Sequence, residues 1–182
     1  IFFGASTIET PLFTMIYFPE SIRSNDILFL NFSFGQLCRN FLAMVKTCIL
    51  QTPGLLYNAL PAFGPMYHIS IPFMLLGMVL FTRDLFTERD AARQTRMLAL
   101  WGGLVTGVWV GLITFEVNVN RINIIFFPLI FMCGYGIAAV ARRCRRAVVG
   151  VYAAYGICFV LFLGTYFTSF AEDIRRYFNV DF

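Results

Sequence analysis

Apolar residues fall into four long runs, and most charges fall between them. Met66–Thr82, Met97–Phe115, Ile122–Ala141 and Ala147–Phe170 hold no Asp, Glu, Lys or Arg. As helices rising 1.5 Å per residue, they reach roughly 25–36 Å, which matches a hydrocarbon core of about 30 Å. No alternation of period two runs through them, and they are too long for strands. The pattern predicts an all-α polytopic membrane protein with a four-helix bundle over residues 66–170.

The connections are short and unequal in charge. Segment 83–96 carries Arg83, Arg89, Arg93 and Arg96, and segment 142–146 reads RRCRR; together they hold eight of the 14 basic residues. Alternating spans put both on one side. Lys and Arg accumulate on the cytoplasmic side of a membrane, so these loops are expected to be cytoplasmic in a plasma-membrane protein. The 116–121 connection, everything before residue 66 and a tail at 171–182 are then expected outside.

The first third follows a different pattern. Residues 1–19 resemble the end of a further span, or a cavity-lining segment, because Glu9 and Pro11 interrupt them. Residues 20–65 hold short apolar pieces, 27–30 and 41–50, with Arg39 and Lys46 among them, and then a stretch rich in Pro and Gly. This reads as interfacial amphipathic helices followed by an ordered extracytoplasmic loop. The chain opens on Ile1 with no charged leader ahead of an apolar core, so an internal or C-terminal piece of a longer protein is expected.

Composition agrees. The chain is 59% hydrophobic and 13% charged, with 22 Phe, against about 25% charged for ordinary soluble domains. That excludes disorder and gives no basic, polar surface for nucleic acid. The five Cys show no metal-ligand or CxxC spacing, so no metal is expected, and Cys38 and Cys48 read as apolar filler ahead of a bridge.

Few residues carry chemistry. Gly103, Gly107 and Gly111 repeat every four positions and form one small-residue helix face, more simply for packing inside the bundle than for dimerisation. Asn118, Asn120, Arg121 and Asn123 crowd the mouth of the third span. An arginine against lipid is costly. One reading is an interfacial anchor; the other is a polar floor for an anionic ligand, because the planar guanidinium bonds phosphate in parallel pairs and amides suit sugar hydroxyls. Asn58, Tyr67 and His68 flank the loop LPAFGP. Tyr67 and His68 read as belt residues at a span end. RRCRR reads first as a topology signal, with attraction to anionic headgroups as a second role. No nucleotide, hydrolase or zinc-protease motif is present.

Three stretches, IETPLFTMIYFPESIRSNDI (8–27), LLYNALPAFGPMYHISIPFMLLGMV (55–79) and NVNRINIIFFPLIFMCGYGIAAV (118–140), together resemble polytopic glycosyltransferases of the GT-C fold. The branch is that of protein O-mannosyltransferases and aminoarabinose transferases, which use dolichyl- or polyprenyl-phosphate sugars. Arg121 followed by Pro128-Leu129 matches a recurrent span start in that family. The resemblance implies transfer of a sugar from a polyprenyl-phosphate donor to an acceptor at the outer membrane face. It implies Arg121 as a phosphate contact, with Asn118, Asn120, Asn123, Asn58, Tyr67 and His68 around the cavity. The family's catalytic carboxylate lies nearer the N-terminus, outside this segment, so no catalytic residue, sugar or acceptor is assigned. A transporter of a lipid-linked or small solute and a non-catalytic scaffold subunit stand as alternatives.

Overall fold

A computed structural model describes residues 6–9, 14–17, 33–52, 60, 62–114 and 116–178. Strands β1 (Ser6–Glu9) and β2 (Thr14–Tyr17) pair antiparallel, Ser6 opposite Tyr17. Helices α1 (Phe34–Cys48), α2 (Ser70–Thr87), α3 (Ala91–Ile113), α4 (Asn123–Arg143) and α5 (Arg145–Thr165) follow. A π-helical turn, Tyr166–Phe170, carries α5 into α6 (Ala171–Phe178). Among the described residues, four helices are long and apolar enough to cross a membrane: α2, α3, α4 and the continuous Arg145–Arg175 rod. The protein is an all-α polytopic membrane protein with one small hairpin.

The helix ends depart from the apolar runs for identifiable reasons. α2 begins at Ser70 rather than Met66, because Gly64 and Tyr67 hold φ of 69° and 61°, a left-handed backbone that no helix contains. It then runs past the apolar stretch to Thr87, with Arg83 and Asp84 on its last turns. α3 starts at Ala91 because the Asp90 carboxylate caps it, accepting from the Ala92 N–H at 3.0 Å. The predicted loop 83–96 therefore shrinks to residues 88–90. Hydropathy marks what lipid can cover; caps mark where helices stop. The expected tail at 171–182 is helical as far as Phe178. Residues 1–19, expected to be the end of a preceding span or a cavity-lining segment, contain the β1–β2 pairing.

Short connections make neighbours antiparallel. Cys133 and Tyr155, equally spaced either side of Cys144, meet across the α4–α5 turn. Gln94 Nε2 donates to the Leu85 carbonyl across the α2–α3 turn. Both arginine-rich connections consequently lie at one end of the bundle, and the 116–122 turn lies at the other.

α4 is the central helix, packing on α2, α3 and α5. Its closest neighbour is α2. A Cβ built on Gly77 would stand 1.7 Å from the Met132 carbonyl oxygen, and one on Gly136 would stand 2.0 Å from that of Phe73. The reciprocity sets Gly77 opposite Gly136 on helices running the same way. Counting back from that pair places Ser70 level with Leu129, about two turns inside the start of α4.

Of the predicted glycine face, Gly107 packs against Ile124 and Ile125, and Gly111 packs against Met44 and Ile122. Gly103 has open space around its Cβ position. The face thus serves packing within the chain at two of its three positions. α1 lies on α3 through Met44 and through Asn40, whose Nδ2 donates to the Leu112 and Thr114 carbonyls at 2.9 and 2.6 Å. Those carbonyls are orphans at the C-terminus of α3. A buried asparagine from a distant helix satisfies them.

Candidate functional site

The turn between α3 and α4 is built by Asn118. This residue is buried; its Oδ1 and its backbone oxygen both accept from the Arg121 N–H at 3.1 Å, and the same backbone oxygen accepts from Ile122. Ile122 is fully buried and anchors the turn to the core. Asn118 thus shapes the turn that presents the site. Arg121 is exposed, and its Nη1 donates to the Glu116 carbonyl at 3.0 Å. A guanidinium has five N–H donors, so one bond to the backbone fixes its direction and leaves most of the fork facing outward. Asn120 and Asn123 are exposed beside it. These four predicted residues come together.

Tyr67 belongs to a second place. A cleft of about 490 Å³ opens between the turn before α2, α4 and α5. Tyr67, Phe162 and Tyr155 supply aromatic walls, Ile130 and Ile137 aliphatic ones. The rings meet mostly edge-on: Tyr67 is 6.2 Å from Phe162 and 6.1 Å from Phe63, in the geometry ring quadrupoles prefer. Arg121 and the asparagines do not line this cleft. His68 is exposed next to Tyr67. Asn58 lies outside the described residues.

The polar atoms in the cleft can be assigned one by one. Ser70 Oγ donates to the Met66 carbonyl. It has one proton, so in its 2.6 Å contact with Tyr155 it accepts, and the phenol donates. The Cys133 thiol donates to the Ser70 carbonyl at 3.8 Å and lies 3.5 Å from the Tyr155 hydroxyl. The chain ends in the turn, where the Met66 N–H donates to Gln51 Oε1 at 2.7 Å and Gln51 Nε2 donates to the Cys48 carbonyl at 2.8 Å. The Ser70 and Tyr155 hydroxyls are thus committed to holding the turn, α2 and α5 together. Ser70 is therefore a tie between the turn before α2 and α5. Gly64 is required at its position, because a Cβ there would meet Gln51 at 2.5 Å.

Sequence reasoning missed Gln51, Ser70, Cys133 and Tyr155. Their partners lie up to 85 positions apart, and no local spacing marks them. A second, wholly apolar cavity of about 160 Å³ lies between α1 and the bundle, lined by Met44, Leu104, Ile125 and Leu129 among others. Among the described residues, no group of His, Cys, Asp and Glu could hold a metal ion. Comparison with family models, curated proteins and solved structures finds no match to this chain.

Proposed function

We propose that the chain is the C-terminal membrane part of a glycosyltransferase that moves a sugar from a polyprenyl-phosphate donor to an acceptor at the outer face of the plasma membrane. The arginine-rich connections then face the cytoplasm. The observation that carries this reading is Arg121, a guanidinium oriented by its own turn, at the opposite end of the bundle from eight other arginines. In this reading its fork bonds the phosphate of the donor. As the bond to the anomeric carbon breaks, negative charge grows on that phosphate, and a charge-assisted pair contributes on the order of 1.5–3 kcal/mol. Asn120 and Asn123 offer amides to the sugar. The acceptor's base comes from outside this segment.

The test is transfer by the full-length protein with a lipid-linked sugar donor. Arg121→Ala is expected to weaken donor use by tenfold or more. Arg121→Lys is expected to recover only part, because an ammonium cannot bond in parallel pairs. Wild-type turnover in Arg121→Ala overturns the assignment.

One observation favours a second reading, transport of a lipid-linked or small solute. α2 starts about two turns inside α4, with the non-helical residues 62–69 beside it. Irregular backbone at membrane depth is tolerated where protein buries it or a cavity adjoins it, and interrupted helices mark many transporter sites. Solute uptake by proteoliposomes with no glycosyl transfer decides for that reading. The scaffold alternative rested on the glycine face, which is largely occupied within the chain.

A further inference from the structure

The end of the bundle remote from Arg121 carries eight arginines and three carboxylates, Asp84, Glu88 and Asp90, and all three carboxylates are used internally. Asp84 accepts from Arg83 at 2.7 Å and from the Tyr135 hydroxyl at 2.5 Å, tying the end of α2 to α4. Glu88 pairs with Arg93 at 3.0 Å and accepts from the Arg89 and Asp90 N–H groups. Asp90 caps α3. Arg142 stacks over the Tyr135 ring at 5.8 Å. Among the described residues, no carboxylate lies within ion-pair distance of Arg89, Arg96, Arg143, Arg145 or Arg146, and all five are exposed.

Five guanidinium groups without a carboxylate partner thus lie at one end of the four candidate spans. Arg145 and Arg146 also occupy the first turn of α5, which holds no acidic residue; there the helix dipole repels cations, so a neighbouring anion relieves that cost. We propose that this end binds the phosphodiester headgroups of anionic lipids, across both the α2–α3 and the α4–α5 connections. Position selects lipid over other anions: the arginines flank apolar spans, so a bound phosphate can keep its acyl chains against them. The proposal does not depend on the glycosyltransferase reading.

The test uses the full chain in neutral detergent, mixed with equal phosphatidylglycerol and phosphatidylcholine and passed through a gel-filtration column, with co-eluting lipid counted by mass spectrometry. Wild type is expected to retain phosphatidylglycerol at least about fivefold over phosphatidylcholine, roughly the contribution of one basic residue at a membrane surface. The preference should collapse in about 1 M salt, where the screening length is near 3 Å. Changing Arg89, Arg96, Arg143, Arg145 and Arg146 together to Gln should abolish it. The same five changed to Lys should retain most of it, and Arg39→Gln with Lys46→Gln on α1 should leave it intact. If the Gln variant does not fold, the wild-type salt dependence and the Lys variant decide. Equal retention of the two lipids by wild type, or a preference that survives the Gln changes, overturns the proposal. Displacement of the lipid by millimolar inorganic phosphate, or by a polynucleotide or acidic peptide, also overturns it.

Discussion

Alanine at Gly77 or at Gly136 adds a methyl group where a neighbouring backbone already stands. The new Cβ would lie 1.7 Å from the Met132 oxygen in one case and 2.0 Å from the Phe73 oxygen in the other. Ordinary contact begins near 3.4 Å, so α2 and α4 must part by about 1.5 Å. Neither obstacle is a flexible side chain that could swing aside. Separation of that size forfeits much of the dispersion attraction across the pair, and overpacking of this kind costs about 1–3 kcal/mol. Alanine's better helix propensity returns at most about 1 kcal/mol. Gly102→Ala and Gly134→Ala are the internal controls, because open space surrounds both Cβ positions and only the propensity term acts. The four variants should divide by sign in thermal unfolding in detergent: Gly77→Ala and Gly136→Ala below wild type, the controls at or above it. Both methyls enter one gap, so the double variant should cost less than the sum of the singles. Gly77→Ala melting with the controls would refute the close crossing.

Asn40→Leu should cost about 1–3 kcal/mol in the same unfolding measurement, because it strips the Leu112 and Thr114 carbonyls of their partner; an unchanged melting point would remove Asn40 as the cap of α3. Burial pushes the Cys48 thiol from 9.0 up to about 12, so a charged maleimide at pH 8 should label Cys38 and Cys144 and spare Cys48 until the protein unfolds. The sign of the linkage follows: the folded state holds that proton more tightly, so Cys48 stabilises the fold fully below pH 9 and loses its contribution as pH rises from 9 towards 12. Cys48→Ala should flatten that alkaline loss.

The spans were legible because lipid and water impose their preferences on every residue of a run. Their ends were not. The N-cap of α3 is one carboxylate, Asp90, within a charged stretch that reads equally well as loop. The stop before α2 comes from the left-handed Gly64 and Tyr67 within a turn-rich segment. The α3–α4 turn was legible as a polar cluster, but the division of labour in it was not: Asn118 is a builder of the turn and Arg121 is what the turn presents. The glycine repeat pointed to real packing at Gly107 and Gly111. The tighter contact, Gly77 on Gly136, leaves no local trace, since each glycine faces a different helix.

The same reasoning explains why a polar chain crosses an apolar bundle. Residues 62–69 lie beside α4 below its first turns, where lipid offers their backbone no partners. The alternatives there are helix, which Gly64 and Tyr67 forbid, or partners brought from elsewhere. Gln51 supplies one from the end of α1, receiving the Met66 N–H while its own left-handed backbone (φ 56°) turns the chain. Ser70 supplies the other by taking the Met66 carbonyl, and it is held in place by Tyr155 of α5. Met66 is thus satisfied at both its donor and its acceptor by side chains from two different elements. The cleft beside it follows from that arrangement: Gln51 braces the turn from the end of α1, and Tyr155 and Phe162 meet it from α5.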